Sequence, residues 1–442
     1  MTEEPQAGST GAPFHGGTDW HAIDWKSANH IVRRLQARIV KATQEKKWGK
    51  VKALQRLLTH SFSGKALAVR RVTENQGKHT PGVDKVTWNT PHKKINAVYS
   101  LRQRDYHPQP LRRIHIPKKN GKTRPLGMPC MKDRAMQALY LLALDPVAET
   151  TADPNSYGFR PQRSTADAIE QCFTALGNIH TAQWILEGDI KGVFTTIPHD
   201  LLVELLSKKI EDTRFLRLIQ AMLEAGYLED WRYHATYSGV PQGSICAPIL
   251  ANVLLHELDT FMSMAKQRFD HGKKRKENPL YHRYSYQIRC LRRRGDSLRG
   301  KEEGKHELQC IQQEIRRVDQ LRKQVPSGDP FDDGYKRLYF CRYADDFCIG
   351  IIGSRADAEQ IRQEVRQFIE VNLKLSIAEE KSHIRHSKKG VTFVGYELKT
   401  YSADRVIKLK RGTRHTWVKS LSEQIQLHIP QDKMQKFCMQ RG

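Results

Sequence analysis

The sequence predicts an α+β fold, and three observations carry that reading. From Trp25 to about Arg71 the apolar residues recur at helical spacing: Ile31, Leu35 and Ile39, then Val51, Leu54, Leu57 and Leu58. Residues 112–129 (RRIHIPKKNGKTRPLGMP) read as a β-hairpin, with strands at Arg113–Ile116 and Thr123–Leu126 around a Lys-Lys-Asn-Gly turn. Residues 339–352 (YFCRYADDFCIGII) set apolar residues on both sides of two adjacent acids, as in a second, tighter hairpin.

The elements follow in chain order. Met1 to Asp19 is rich in Gly and Thr, has no basic start or apolar stretch, and is expected to be a flexible tail rather than a signal peptide. Amphipathic basic helices come next; Asn75–Asp84 is a loop broken by Gly77, Pro81 and Gly82. After the hairpin a helix is expected from Met131 to about Ala148, then a Gly/Pro loop at Tyr157–Ser164 and a helix at Ala166–Leu176. Gln183–Ile190 reads as a strand. Pro198 opens a helix whose face is Leu201, Leu202, Leu205, Leu206 and Ile210. VPQGSI at Val240–Ile245 is a loop before an apolar helix at Pro248–Phe261. An insertion from about Ala265 to Lys323, dense in Lys, Arg and Gln, reads as a helical hairpin. Val391–Leu398 reads as a strand pair, and His415 to Gly442 as helical and basic.

Composition narrows the partners. The 442 residues suit two to four domains at roughly 100–200 residues each. Lys plus Arg exceed Asp plus Glu by 26. Such an excess repels itself in a compact chain and marks a polyanionic partner, nucleic acid before an anionic membrane surface. There is no run of ~18 apolar residues, so no spanning helix and no membrane partner is expected. The eight cysteines are scattered without a CxxC pair, which suits reduced thiols and a cytoplasmic protein.

The chemistry concentrates at Tyr343-Ala344-Asp345-Asp346. Adjacent carboxylates among apolar strand residues are costly unless a cation meets them, and Mg²⁺ takes hard carboxylate oxygens while leaving room for phosphate. Taken alone the pair also fits a surface turn. Asp189, at the end of the strand Gln183–Ile190, supplies the carboxylate from a separate strand that a two-metal phosphoryl-transfer site needs; taken alone it also fits a strand-end cap. Other motifs fail: Gly64-Lys65-Ala66 lacks the flanks of a P-loop, and Asp332-Asp333-Gly334 lacks the terminal Glu of a calcium loop.

The chain resembles the group II intron-encoded reverse transcriptases, or maturases. The resemblance runs from about Gln76 to Leu398 through eight ordered blocks: TPGVD at Thr80–Asp84, IPKKNGKTRPLGMP at Ile116–Pro129, SYGFRPQRS at Ser156–Ser164, GDIKGVF at Gly188–Phe194, GVPQGSICAPILAN at Gly239–Asn252, RYADDF at Arg342–Phe347, EEKSHI at Glu379–Ile384 and FVGYEL at Phe393–Leu398. It implies a right-hand polymerase of fingers and palm, with a helical N-terminal extension and a partial helical thumb. It implies that Asp189, Asp345 and Asp346 form the palm triad for two Mg²⁺ ions, and that Phe194 excludes a 2′-hydroxyl. It implies that Gln242 touches the incoming nucleotide, that Lys118, Lys119 and Arg124 grip its triphosphate, and that Lys381 approaches the palm. Each of these cations by itself would pass for a solvated surface charge, and Phe194 for a core residue. Basic positions expected to bind RNA are Lys46, Lys47 and Lys50, Arg160 and Arg163, and Lys273, Lys274 and Arg275.

Two departures from the family pattern stand out: Thr195-Thr196 follow Phe194 where Asp-Asn is common, and Val193 stands where Cys is common. The expected organisation is a tail (1–20), a basic extension (21–84), fingers (85–178), palm with part of the fingers (179–262), a basic helical insertion (263–335), palm continued (336–400) and the incomplete start of the thumb (401–442). No HNH-type Cys/His cluster is seen, so the chain is not expected to cut DNA. The expected function is an RNA-directed DNA polymerase that uses dNTPs and a DNA primer or target. It would bind its group II intron RNA, assist splicing and copy the RNA for retrohoming. The alternatives are an RNA-binding splicing factor with a vestigial polymerase site and a stand-alone defence or retron-type reverse transcriptase.

Overall fold

The computed structural model describes residues 19–117, 121, 123–176, 182–298, 305–325, 327–329, 332–401, 406–411, 414–419 and 424–439. The helical spacing of the N-terminal part becomes α1 (Trp25–Gln44), α2 (Trp48–His60) and α3 (Phe62–Glu74), followed by α4 (Pro91–Ser100). Asp24 caps α1 through the amides of Lys26 and Ser27, Ser61 caps α3 through Gly64, and Pro91 starts α4 behind the Thr90 cap. The hairpin forms as β1 (Leu111–Pro117) and β2 (Thr123–Met128); its expected Lys-Lys-Asn turn lies outside the described residues. Then come α5 (Met131–Thr151), α6 (Thr165–Leu176), β3 (Trp184–Lys191), the short α7 (Val193–Thr196), α8 (His199–Ser207) and α9 (Thr213–Leu223). β4 (Tyr227–Glu229) and β5 (Arg232–His234) precede α10 (Ala247–Phe269) and the insertion helices α11 (Pro279–Leu298) and α12 (Lys305–Gln324). β6 (Arg337–Tyr343), β7 (Asp346–Ile352), α13 (Arg355–Val371), β8 (Ser376–Ile377), β9 (His383–His386), β10 (Val391–Phe393) and β11 (Tyr396–Tyr401) lead to β12 (Val406–Arg411), β13 (Arg414–Lys419), β14 (Gln424–His428) and α14 (Gln431–Met439).

The chain divides into two compact units. The first comprises residues 1–152 and 194–254, with α5 at its centre and α1, α2 and α3 packed on it. α5 is buried on most of its surface, with Met131, Met136, Leu139 and Leu144 in the core and Asp133, Arg134 and Gln137 buried beside them. Pro146 lies inside it and cannot donate a backbone hydrogen bond to the Leu142 carbonyl one turn back. Gln36 of α1 supplies the donor (Nε2 to the Leu142 oxygen, 2.9 Å), and Gln55 of α2 does the same for Ala143 (3.0 Å). The helix defect thus fixes how the extension docks. The sheet of this unit runs β2-β1-β4-β5, with β1 parallel to β4.

The second unit comprises residues 153–193 and 255–442. Its main sheet runs β6-β7-β3-β8, and β9 pairs along β3. α6 packs on β6 and β7, α13 on β3 and β8. Tyr157, Ile169, Cys172, Leu176 and Ile185 share one buried cluster with Cys341, Cys348 and Phe393. α11 and α12 pack on each other as the expected helical hairpin, enclosing Ile288, Ile311 and Val318.

One expectation fails. His415–Gly442 is not helical throughout: β13 pairs with β12 and β14 with β11, and among the described residues of this stretch only Gln431–Met439 forms a helix. The residues of β14, Gln-Ile-Gln-Leu-His, alternate polar and apolar, the period of a strand. The expected tail falls almost wholly outside the described residues.

Candidate active site

Asp189, Asp345 and Asp346 are all in the second unit. β3 and β7 are antiparallel neighbours in a register that sets Asp189 opposite Asp346. The turn between β6 and β7 brings Asp345 beside them, its carbonyl accepting from the Ile190 amide at 3.1 Å. Gly188 precedes Asp189 for a steric reason: a Cβ there would run into the Phe347 ring. Ala344 at the turn takes φ +57°, a left-handed conformation costing an L-residue roughly 1–2 kcal/mol. Gly158 packs on its amide, where a Cβ would collide.

A buried ion pair holds that turn. Arg342, 1% exposed, donates through Nε and Nη2 to the two carboxylate oxygens of Asp259 on α10, 2.6 Å each. Its Nη1 donates to the Ala344 carbonyl (2.9 Å) and Nη2 also to the Ser156 hydroxyl (2.7 Å). The sequence reading did not single out Arg342 or Asp259, which lie far apart in the chain.

The acids act on one another. Asp346 has its pKa pushed up to about 6, first by burial and then by the charges of Asp345 and Asp189, with Lys381 opposing. Lys381 forms an ion pair with Asp189 and is held protonated above the usual lysine range, first by that hydrogen bond. The Ser382 hydroxyl accepts from the Asp189 amide (3.3 Å). Among the described residues no three His, Cys, Asp or Glu side chains are drawn in tightly enough to hold a metal as they stand. The donor set is nonetheless of hard oxygen type, with a cationic ammonium already on Asp189.

The other expected nucleotide contacts lie in the first unit. Arg124 on β2 donates from Nε to Gln242 Oε1 at 3.0 Å, so two residues 118 apart in sequence meet. The Gln242 carbonyl accepts from the Gly127 amide (2.7 Å), which ties its loop to the hairpin. Phe194 is half-buried on α7, and its carbonyl accepts from Val240 (2.7 Å). Lys118 and Lys119 lie outside the described residues.

The expected RNA contacts divide. Lys46, Lys50, Lys273 and Lys274 are exposed, and Lys47 is exposed with an ion pair to Glu45 (2.8 Å). Arg163 is half-buried, stacks over Tyr157 and donates to the Pro154 carbonyl (2.9 Å). Two expectations need correction. Arg160 is buried and donates to the carbonyls of Asp153 and Ser156 (2.5 Å each), so it braces its own loop. Arg275 is buried beside Tyr335, donates to the Asp329 carbonyl (3.1 Å), and is turned into the base of the insertion rather than outward.

Two family models match: the N-terminal domain of reverse transcriptase over residues 20–101, and reverse transcriptase (RNA-dependent DNA polymerase) over residues 116–278. The chain belongs to the reverse transcriptases and has their right-hand polymerase fold. It is 35% identical over 379 residues to the group II intron-encoded protein LtrA of Lactococcus lactis subsp. cremoris, covering 85% of this chain and 61% of LtrA. It is 30% identical over 396 residues to protein YkfC of Escherichia coli (strain K12), covering 88% of this chain and 90% of YkfC. Within the reverse transcriptases it is a member of the group II intron-encoded proteins. The chain spans about three fifths of the length of LtrA. A telomerase structure from Candida albicans is similar over 67% of this chain and 46% of its own, at 14% identity and TM-score 0.40. No helix among the described residues is long and apolar enough to cross a membrane.

Proposed function

We propose that this chain is an RNA-directed DNA polymerase that binds a group II intron RNA, assists its splicing and copies it into cDNA for retrohoming. The observation that carries the reading is the convergence of Asp189 on β3 with Asp345 and Asp346 at the β6–β7 turn, where burial first and the two neighbouring acids second push Asp346 up to about 6. Asp189 and Asp345 would hold two Mg²⁺ ions, with Asp346 the less direct third acid. When bound, Mg²⁺ supplies a lowered pKa at a primer 3′-hydroxyl and neutralises charge on the α-phosphate and leaving pyrophosphate. Lys381, paired with Asp189, keeps the acids partly neutralised. Arg124, with the finger lysines, grips the triphosphate, and Gln242 orients the nucleotide beside it. Phe194 sits under the sugar and selects deoxyribose. The excess of 26 positive charges supports RNA as the standing partner.

The test is DNA-primer extension on an RNA template with Mg²⁺. Wild-type chain should extend; Asp189→Ala and Asp345→Ala should fall to background with RNA binding intact, because the acids hold metal and not the duplex. Wild-type-level cDNA from either variant would overturn the site. A wild-type chain that binds and splices intron RNA but never extends would replace the polymerase with a splicing factor.

A further inference from the structure

A cleft of about 790 Å³ opens in the first unit, bounded by α3, the segment following α4, and α9. Its volume is that of a small-ligand site. Its floor is apolar and buried: Leu101, Met136, Leu139 and Leu218. Its rim is cationic, and no carboxylate lines it. Arg214 is paired with Asp212 at 3.6 Å, but among the described residues Lys65, Arg102 and Arg217 pair with no acid. Lys65 is half-buried, and burial together with Arg102 pushes its ammonium toward the neutral form. Cations gathered over an apolar floor without a counter-charge lower stability, and an anion removes that cost. A bare phosphate would leave the floor wet; a base joined to phosphates satisfies both surfaces.

We propose that this cleft takes one unpaired nucleotide of a bound RNA strand, its base on the Leu101–Leu218 floor and its phosphates on Lys65, Arg102 and Arg217. Single-stranded RNA is read through such splayed bases, and the net excess of 26 cations favours a polyanion over a free nucleotide. The inference rests on RNA being the partner, as proposed above, and places a nucleotide in a unit that contains none of the palm acids.

The experiment uses the full chain and a short single-stranded oligoribonucleotide followed by fluorescence anisotropy. The variant K65Q/R102Q/R217Q should bind about tenfold or more weakly, and its log–log salt slope should flatten by about 2, from three contacts at roughly 0.7 each. Ala221→Trp, which fills the cleft and keeps its charge, should weaken the same oligonucleotide and leave an abasic strand of equal charge unaffected. Lys65→Gln alone should raise the melting temperature of the RNA-free protein; a lysine with a merely structural role would lower it. Unchanged affinity and slope in the triple variant would overturn the proposal. AMP or ATP competing as strongly as the oligonucleotide would overturn the assignment to an RNA strand in favour of a free nucleotide. Primer extension on a short duplex, run on the same preparations, separates the two readings. If wild type and triple variant both extend and bind alike, the cleft assignment fails alone. If the triple variant loses RNA affinity and wild type does not extend, the polymerase reading fails alone.

Discussion

The β6–β7 pair and the β1–β2 pair are each two antiparallel strands, and they differ in how deeply they are buried. β7 is buried from Phe347 to Ile352, and the turn residue Ala344 is buried and gripped by Arg342. β1 is exposed from Ile114 to Pro117, and Arg124 opposite it donates to Gln242. The first hairpin carries acids that repel one another and must be held at fixed separations before any cation arrives. The second carries Arg124 at the solvent-exposed end of its strand pair. Like charges need a rigid, pre-formed frame; charges that await a partner can be left in solvent.

Breaking the frame should have the largest effect. Arg342→Met leaves buried Asp259 without its two-pronged guanidinium partner, with His256 3.9 Å away, and should destabilise the fold by about 3–5 kcal/mol. Arg342→Met combined with Asp259→Met should recover most of that loss and still extend primers poorly, because the Ala344 carbonyl has lost its donor. Melting temperature and kcat measured together decide it; full recovery of both would reduce the pair to packing. On the other hairpin, Arg124→Ala should leave the melting temperature unchanged and raise KM for dNTP by about 10-fold, the worth of one hydrogen bond to a charged group. Gln242→Ala should be non-additive with it, since the two side chains touch. Equal, additive losses in kcat would remove the distinction between frame and grip.

The smallest effect provides a control for burial without function. Asp145 in α5 has its pKa raised to about 6, by burial first and then by Glu149 one turn on, with Arg71 opposing. The unfolded chain releases that proton at lower pH, so stability is lost as pH rises from about 4 to about 6 and stays lost above. Asp145→Asn should therefore raise the melting temperature at pH 7.5, on the order of 2–4 °C, and change nothing below pH 4 or in primer extension. A gain that persists at pH 4 would mean the acid is not the cause.

The helices, both hairpins and the three acids were legible because each is a local pattern: spacing of Leu and Ile, an Asn-Gly turn, acids set in apolar residues. The Arg342–Asp259 pair was not legible, since its partners are 83 residues apart and each looks like an ordinary surface charge. Arg160 and Arg275 failed in the opposite direction. Both sit in basic or Gly/Pro-rich stretches that read as solvated, and only the folded backbone shows the carbonyls that take their guanidinium groups. The C-terminal strands were misread because basic residues drew the reading toward a helical thumb, although Gln424–His428 alternates at the period of a strand.

The insertion leaves and returns through one point. His271 and Lys336 exchange both backbone hydrogen bonds at 3.0 Å, and Asn278 donates to Ser327 at 3.0 Å further along, so the two legs are stitched together before α11 begins and after α12 ends. The path from α10 into β6 is therefore already closed at its base, whatever lies beyond. For evolution this makes the segment a cassette: it can lengthen, shorten or change its cargo of arginines without moving the strand that carries the catalytic turn. Chain length beyond this point is thereby decoupled from the sheet, which is buffered against it by three backbone hydrogen bonds.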